Sequence, residues 1–136
     1  MPPRLTWQAL TLRLRVPFRL SYGVSETRRS FSVRLAGDEG LGEAAIPPYY
    51  GVSDESMISL WESLAHNDMP FPDDPADISL WIGATGPAPA RCAIDLALHD
   101  RIGRRAGLPL WQLLGLPPPA PLATCFTIAI DEPDEM

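Results

Sequence analysis

Arg91-Cys-Ala-Ile-Asp-Leu-Ala-Leu-His-Asp-Arg-Ile-Gly-Arg-Arg-Ala-Gly-Leu-Pro-Leu-Trp-Gln-Leu-Leu-Gly115 decides the fold. Ala90, Ala93, Ile94, Ala97, Leu98 and Ile102 recur at i, i+3, i+4 spacing and form one apolar stripe of a helix. Gly107 ends that helix, because glycine accepts the left-handed conformation a helix terminus needs. Pro109 then opens a short second helix over Leu110 to Leu114. Arg101, Arg104 and Arg105 fall in the last turns, where cations complement the dipole. The small residues Ala93 and Ala97, with Cys92 and Gly103 nearby, permit close approach by another helix or a sheet. Asp95 and His99 are i, i+4 neighbours. No third ligand or nucleophile stands at a suitable spacing, so they read as a helix-surface pair rather than a metal site or triad.

Outward from this helix the pattern is α+β. Residues 7–15 alternate, with Leu10, Leu12 and Leu14 against Thr11, Arg13 and Arg15, and predict a half-buried strand. Residues 30–35 alternate again and place Phe31, Val33 and Leu35 on one face. Gly37-Asp-Glu-Gly40 is a turn, and Leu41 to Ala45 reads as a third strand, so an antiparallel meander is expected. Ser53 caps a helix with Asp54 and Glu55 in its first turn and Met57, Leu60, Trp61 and Leu64 inside. Asp74-Pro75 starts a shorter helix that buries Ile78, Trp81 and Ile82. Strands followed by a helical set give a segregated α+β domain.

Residues 1–116 therefore read as one domain. Pro117 to Pro121 is a stiff connector. Leu122-Ala-Thr-Cys-Phe-Thr-Ile-Ala-Ile130 has the composition of a strand buried on both faces, and Asp131 onward reads as a helix start. A lone buried strand has nothing here to pair with, so a piece of a longer protein is expected.

The chain has 136 residues, enough for a core, and a net charge of −6. That charge disfavours nucleic acid as a partner. No apolar run approaches the ~18 residues of a membrane span. Met1 to Trp7 shows no apolar signal region, and Cys92 and Cys125 read as two buried thiols rather than a disulfide, so a cytoplasmic location is expected. All 11 basic residues are arginine; lysine is absent.

The meander, Ala93-Ile-Asp-Leu-Ala-Leu-His-Asp100, Gly107-Leu-Pro-Leu-Trp-Gln-Leu-Leu-Gly115 and Thr124-Cys-Phe-Thr-Ile-Ala-Ile-Asp131 together resemble the enolase superfamily. Within it they are most similar to the mandelate racemase/muconate lactonizing group, dipeptide epimerases above all. The resemblance implies an N-terminal capping domain set over a TIM barrel, of which residues 117–136 would be the linker, the first strand and the start of the first helix. It implies proton abstraction α to a carboxylate by lysine bases, with Mg2+ stabilising the enediolate. A barrel takes about 200 residues. Its bases and metal ligands would lie downstream of Met136, so no catalytic or metal residue is expected in this chain, and Mg2+ would bind only the full-length parent.

What the resemblance carries over is substrate contact. Phe18 to Arg29 matches a specificity loop with Tyr22 and Gly23 at its centre, where many dipeptide epimerases have an arginine. Pro47-Pro-Tyr-Tyr-Gly51 matches a second specificity segment, with Tyr49 and Tyr50 as pocket candidates. Thr127 matches a substrate-contacting threonine. The plain alternatives are an exposed loop aromatic for Tyr22, barrel-rim packing for Tyr49 and Tyr50, and a simple β-former for Thr127. The implied partner is a small carboxylate or dipeptide. Muconate cycloisomerase and o-succinylbenzoate synthase caps are rival readings, and a non-catalytic binding or oligomerisation domain is the rival of another class. Self-association through the barrel-facing surface is expected.

Overall fold

The computed structural model describes residues 4–134. Three strands, β1 (Leu5–Leu20), β2 (Gly23–Leu35) and β3 (Gly40–Ala45), form one antiparallel sheet in the order β1-β2-β3. Helices α1 (Asp54–Ala65), α2 (Ile78–Ile82), α3 (Ala88–Ala106) and α4 (Leu110–Leu113) follow. The α+β meander-then-helices architecture is the one the sequence predicts.

The helix α3 is the spine. Ala90, Ala93, Ile94, Ala97 and Leu98 are fully buried and Ile102 nearly so. Gly107 caps it in the left-handed conformation (φ 66°). The Leu108 amide donates to the Gly103 carbonyl at 3.0 Å and the Gly107 amide to Arg104 at 3.2 Å, a Schellman closure. The alanines matter because β3 lies directly on them. A Cβ at Gly40 would stand 2.1 Å from the Ala97 carbonyl oxygen, and one at Gly42 only 1.9 Å from that of Ala93. Small residues on both partners set this distance.

The sheet's inner face carries Leu5, Phe31, Val33, Leu35 and Ala44. Trp61 of α1 is fully buried beneath it, its indole N–H donating to the Ala90 carbonyl at 3.1 Å. Its ring meets Phe31 edge-on at 5.3 Å and Trp7 at 5.9 Å. Ser53 caps α1 by accepting from the Ser56 amide, and Asp74 does the same for Ala76 at the turn leading into α2.

Three expectations are corrected: the inward phase of β1, the loop at Phe18 to Arg29 and the burial of the two cysteines. In β1 the inward residues are Leu5 and Trp7, so Leu10, Leu12 and Leu14 face the other way, and Leu12 is exposed. Alternation gives a period but not which phase meets the core. Phe18 to Arg29 is not a loop: β1 and β2 continue as a hairpin to the pair Leu20–Gly23. Residues 122–130 form no strand and are largely exposed; apart from an amide of Ile130 donating to the Arg19 carbonyl at 2.9 Å they find no ladder partner. A strand exists only when paired, and its apolar composition cannot substitute for neighbours. The helix start at Asp131 runs partly outside the described residues; the described part is a turn. Finally, Cys92 and Cys125 are free, as expected, but exposed rather than buried.

Candidate functional site

The hairpin and the segment after β3 build one cleft. Residues 16–20, Val-Pro-Phe-Arg-Leu, keep β1 going past the sheet's inner core. Pro17 lacks an amide hydrogen and falls within the register shift between Arg13 and Phe18, where no ladder bond is required of it. Ser21 and Tyr22 then turn the chain in two residues. After β3, Pro47 extends into a single turn, Pro48–Tyr50, closed by the Tyr50 amide on the Pro47 carbonyl at 3.1 Å and by Gly51 at φ 62°.

Between these two segments lies a cleft of about 570 Å3, with Tyr22, Gly23 and Tyr49 in its wall. Leu12, Phe18, Leu20 and Val24 contribute its apolar surface. Tyr22 and Tyr49 are 76% and 68% exposed, far more than core aromatics, and both belong to this one rim. Tyr50 is outside the lining but holds Tyr49, ring edge to ring face at 4.8 Å. Three of the five residues expected to contact substrate therefore converge and a fourth supports them. Thr127 does not join them: it is exposed, in the irregular segment beyond Pro117.

The charged groups of the cleft are largely engaged. Arg29 pairs with Asp54 at the head of α1. Glu43 accepts from the Ser30 hydroxyl. The Arg28 guanidinium lies over the Phe18 ring, 6.0 Å from its centre, and donates to the Thr27 carbonyl. Leu12, Phe18, Glu43 and Arg28 are cleft residues the sequence reading did not single out. For Leu12 the signal was the outward phase of β1, visible only once the inward phase is known, and Arg28 stands opposite it on β2.

A larger groove of about 900 Å3 runs between β3 and the helices α3 and α4. Leu41, Leu96, Leu108, Leu110 and Leu114 line it and are exposed. Asp95 and His99 sit on its wall and pair with each other at 3.2 Å, the helix-surface contact their spacing predicts. Asp100 accepts from the Leu41 amide at 2.8 Å and so pins β3 to α3. Among the described residues no three His, Cys, Asp or Glu side chains cluster as a metal site.

Arg101 is not a simple dipole partner at a helix end. It is buried, 5% exposed, and binds Asp73 at 2.9 Å, the Pro72 carbonyl at 3.0 Å and Glu39 at 3.3 Å. It also lies over Phe71, 5.6 Å from the ring centre, so one side chain ties α3 to two connections.

Known proteins share this sequence and fold. Residues 5–115 match the family described as mandelate racemase/muconate lactonizing enzyme, N-terminal domain. An L-Ala-D/L-Glu epimerase of Bacteroides thetaiotaomicron is 31% identical over 96% of this chain. A dipeptide epimerase of Cytophaga hutchinsonii, solved with Mg and D-Ala-L-Val, superposes with a TM-score of 0.73 at 25% identity, covering 96% of this chain and 38% of that one. The dipeptide epimerase of Enterococcus faecalis, solved with Mg and L-Leu-L-Tyr, gives 0.66 at 27% identity, covering 82% of this chain and 34% of that one. The chain spans only 35% of the Bacteroides enzyme's length. With this match, and with the sheet and α3 arranged as described, the chain belongs to the N-terminal domain family of mandelate racemase and muconate lactonizing enzymes, in the enolase superfamily.

Proposed function

We propose that this chain is the specificity cap of a Mg-dependent dipeptide epimerase, acting by removal of a proton α to a carboxylate. The observation that carries the reading is the convergence of Tyr22, Gly23 and Tyr49 on one cleft in a domain whose relatives include dipeptide epimerases. The cap's own residues supply a side-chain pocket and exclude water from it; Thr127, if it contacts substrate, does so in a strand completed by further sequence. Among the described residues no three His, Cys, Asp or Glu side chains cluster, and the sequence has no lysine, so we assign the base and the ion to residues beyond this domain, whose boundary we place near Leu116. No step of the reaction is therefore carried by this chain.

The groove along α4 is the face proposed to meet the barrel, and to self-associate when the barrel is missing. No helix among the described residues is long and apolar enough to cross a membrane, and the acidic charge argues against nucleic acid as a partner.

The test is epimerisation by the full-length protein carrying this domain. Exchange of the α proton in D2O, followed by proton NMR with Mg2+ and a dipeptide panel, is the expected outcome. Turnover of muconate or formation of o-succinylbenzoate, without dipeptide exchange, would replace this reading by one of its rivals. The 136-residue chain alone is expected to be inactive toward every substrate.

A further inference from the structure

We propose that this cleft selects dipeptides with apolar side chains over those with charged ones. The inference rests on the dipeptide epimerase reading and adds its substrate class.

Four observations carry it. First, Leu12, Val24, Tyr22 and Tyr49 are exposed large apolar or aromatic side chains that the domain's core does not use, and all four line the same cleft. A cluster of this kind marks a binding surface. Second, the hairpin tip ends in Gly23, which brings no side chain and leaves open space: a Cβ there would meet nothing within 4 Å. Phe18 and Tyr49 both line the same cleft, and an aromatic ring offers flat contact area at low entropic cost.

Third, each cation of the cleft already has a contact of its own. Arg29 is held by Asp54, and Arg28 lies over Phe18 with its Nη1 on the Thr27 carbonyl. A substrate carboxylate would have to compete for each. Fourth, the carboxylate of Glu43 stands in the lining and opposes an acidic side chain, while its hydrogen bond from Ser30 already uses part of its capacity for a basic one. Burying a charged substrate side chain here would cost its hydration without a dedicated partner, whereas an apolar one gains from the same walls.

The experiment uses the full-length protein with saturating Mg2+. kcat/KM is measured for L-Ala-L-Phe, L-Phe-L-Ala and L-Leu-L-Phe against L-Ala-L-Glu, L-Glu-L-Ala and L-Ala-L-Lys. The best apolar dipeptide is expected to exceed the best charged one at least tenfold. Tyr49→Ser, at an exposed position that leaves the fold intact by circular dichroism, is expected to raise KM for the best apolar dipeptide at least fivefold. Preference for a charged dipeptide overturns this inference and leaves the epimerase reading standing. So does an unchanged KM in Tyr49→Ser. Absence of turnover with all six dipeptides removes the epimerase reading, and the inference with it.

Discussion

At the scale of single residues, Gly42 and Arg101 decide most. Gly42 has no space for a methyl group, because its Cβ would lie 1.9 Å from a main-chain oxygen of α3 that cannot move aside alone. Gly42→Ala is expected to destabilise the domain by about 2–3 kcal/mol, the upper range for overpacking, read as a lower midpoint in urea unfolding with an unchanged slope. Arg101 shows how magnitude separates two effects. Breaking a fully buried ion pair costs about 3–5 kcal/mol, because the abandoned partner stays buried. Here the partners are exposed, Asp73 at 78% and Glu39 at 43%, so water receives them. Arg101→Ala is therefore expected to cost only about 1–2 kcal/mol, from lost packing on Phe71 and the orphaned Pro72 carbonyl. A loss above about 4 kcal/mol in the same unfolding measurement would contradict that account.

At the scale of elements, the sheet has two ends with different support. Pairs such as Val33–Gly42 and Phe31–Ala44 lie over α3 and Trp61. The pairs from Phe18–Ser25 to Leu20–Gly23 lie beyond the register shift, in the arm that walls the cleft. An antiparallel ladder without core packing is marginal in water, so the arm opens more readily than the body of the sheet. Amides of residues 20–25 are expected to exchange with D2O at least tenfold faster than those of 31–35, as measured by NMR. Equal protection along β2 would mean that the arm is held by contacts other than those described. At α1, Ser53→Ala removes the acceptor for the Ser56 amide and is expected to cost about 1 kcal/mol, measured by thermal unfolding.

At the scale of the whole molecule, the groove along α3 and α4 leaves five leucines exposed on one side. The 136-residue chain is expected to sediment as dimers or larger species at ~100 µM, since a patch of this kind drives association. Leu110→Glu, in the middle of the groove, is expected to restore the monomer. A clean monomer of the unaltered chain would count against this use of the face.

Periodicity and punctuation made much of this molecule legible. The stripe of α3, its Gly107 stop, the caps Ser53 and Asp74, and the inward face of Phe31, Val33 and Leu35 are local properties, fixed by spacing and by the conformations particular residues accept. The cleft was legible only in part: Tyr22, Gly23 and Tyr49 came from resemblance, whereas Leu12 and Phe18 came from the structure. Tertiary structure alone decided which phase of β1 turned inward, because alternation is symmetric until a helix covers one face. It also decided that Phe18 to Arg29 pairs as a hairpin and that Arg101 is a buried tie. Each of these depends on partners distant in the chain, and a strand or a buried charge has no stable state without them.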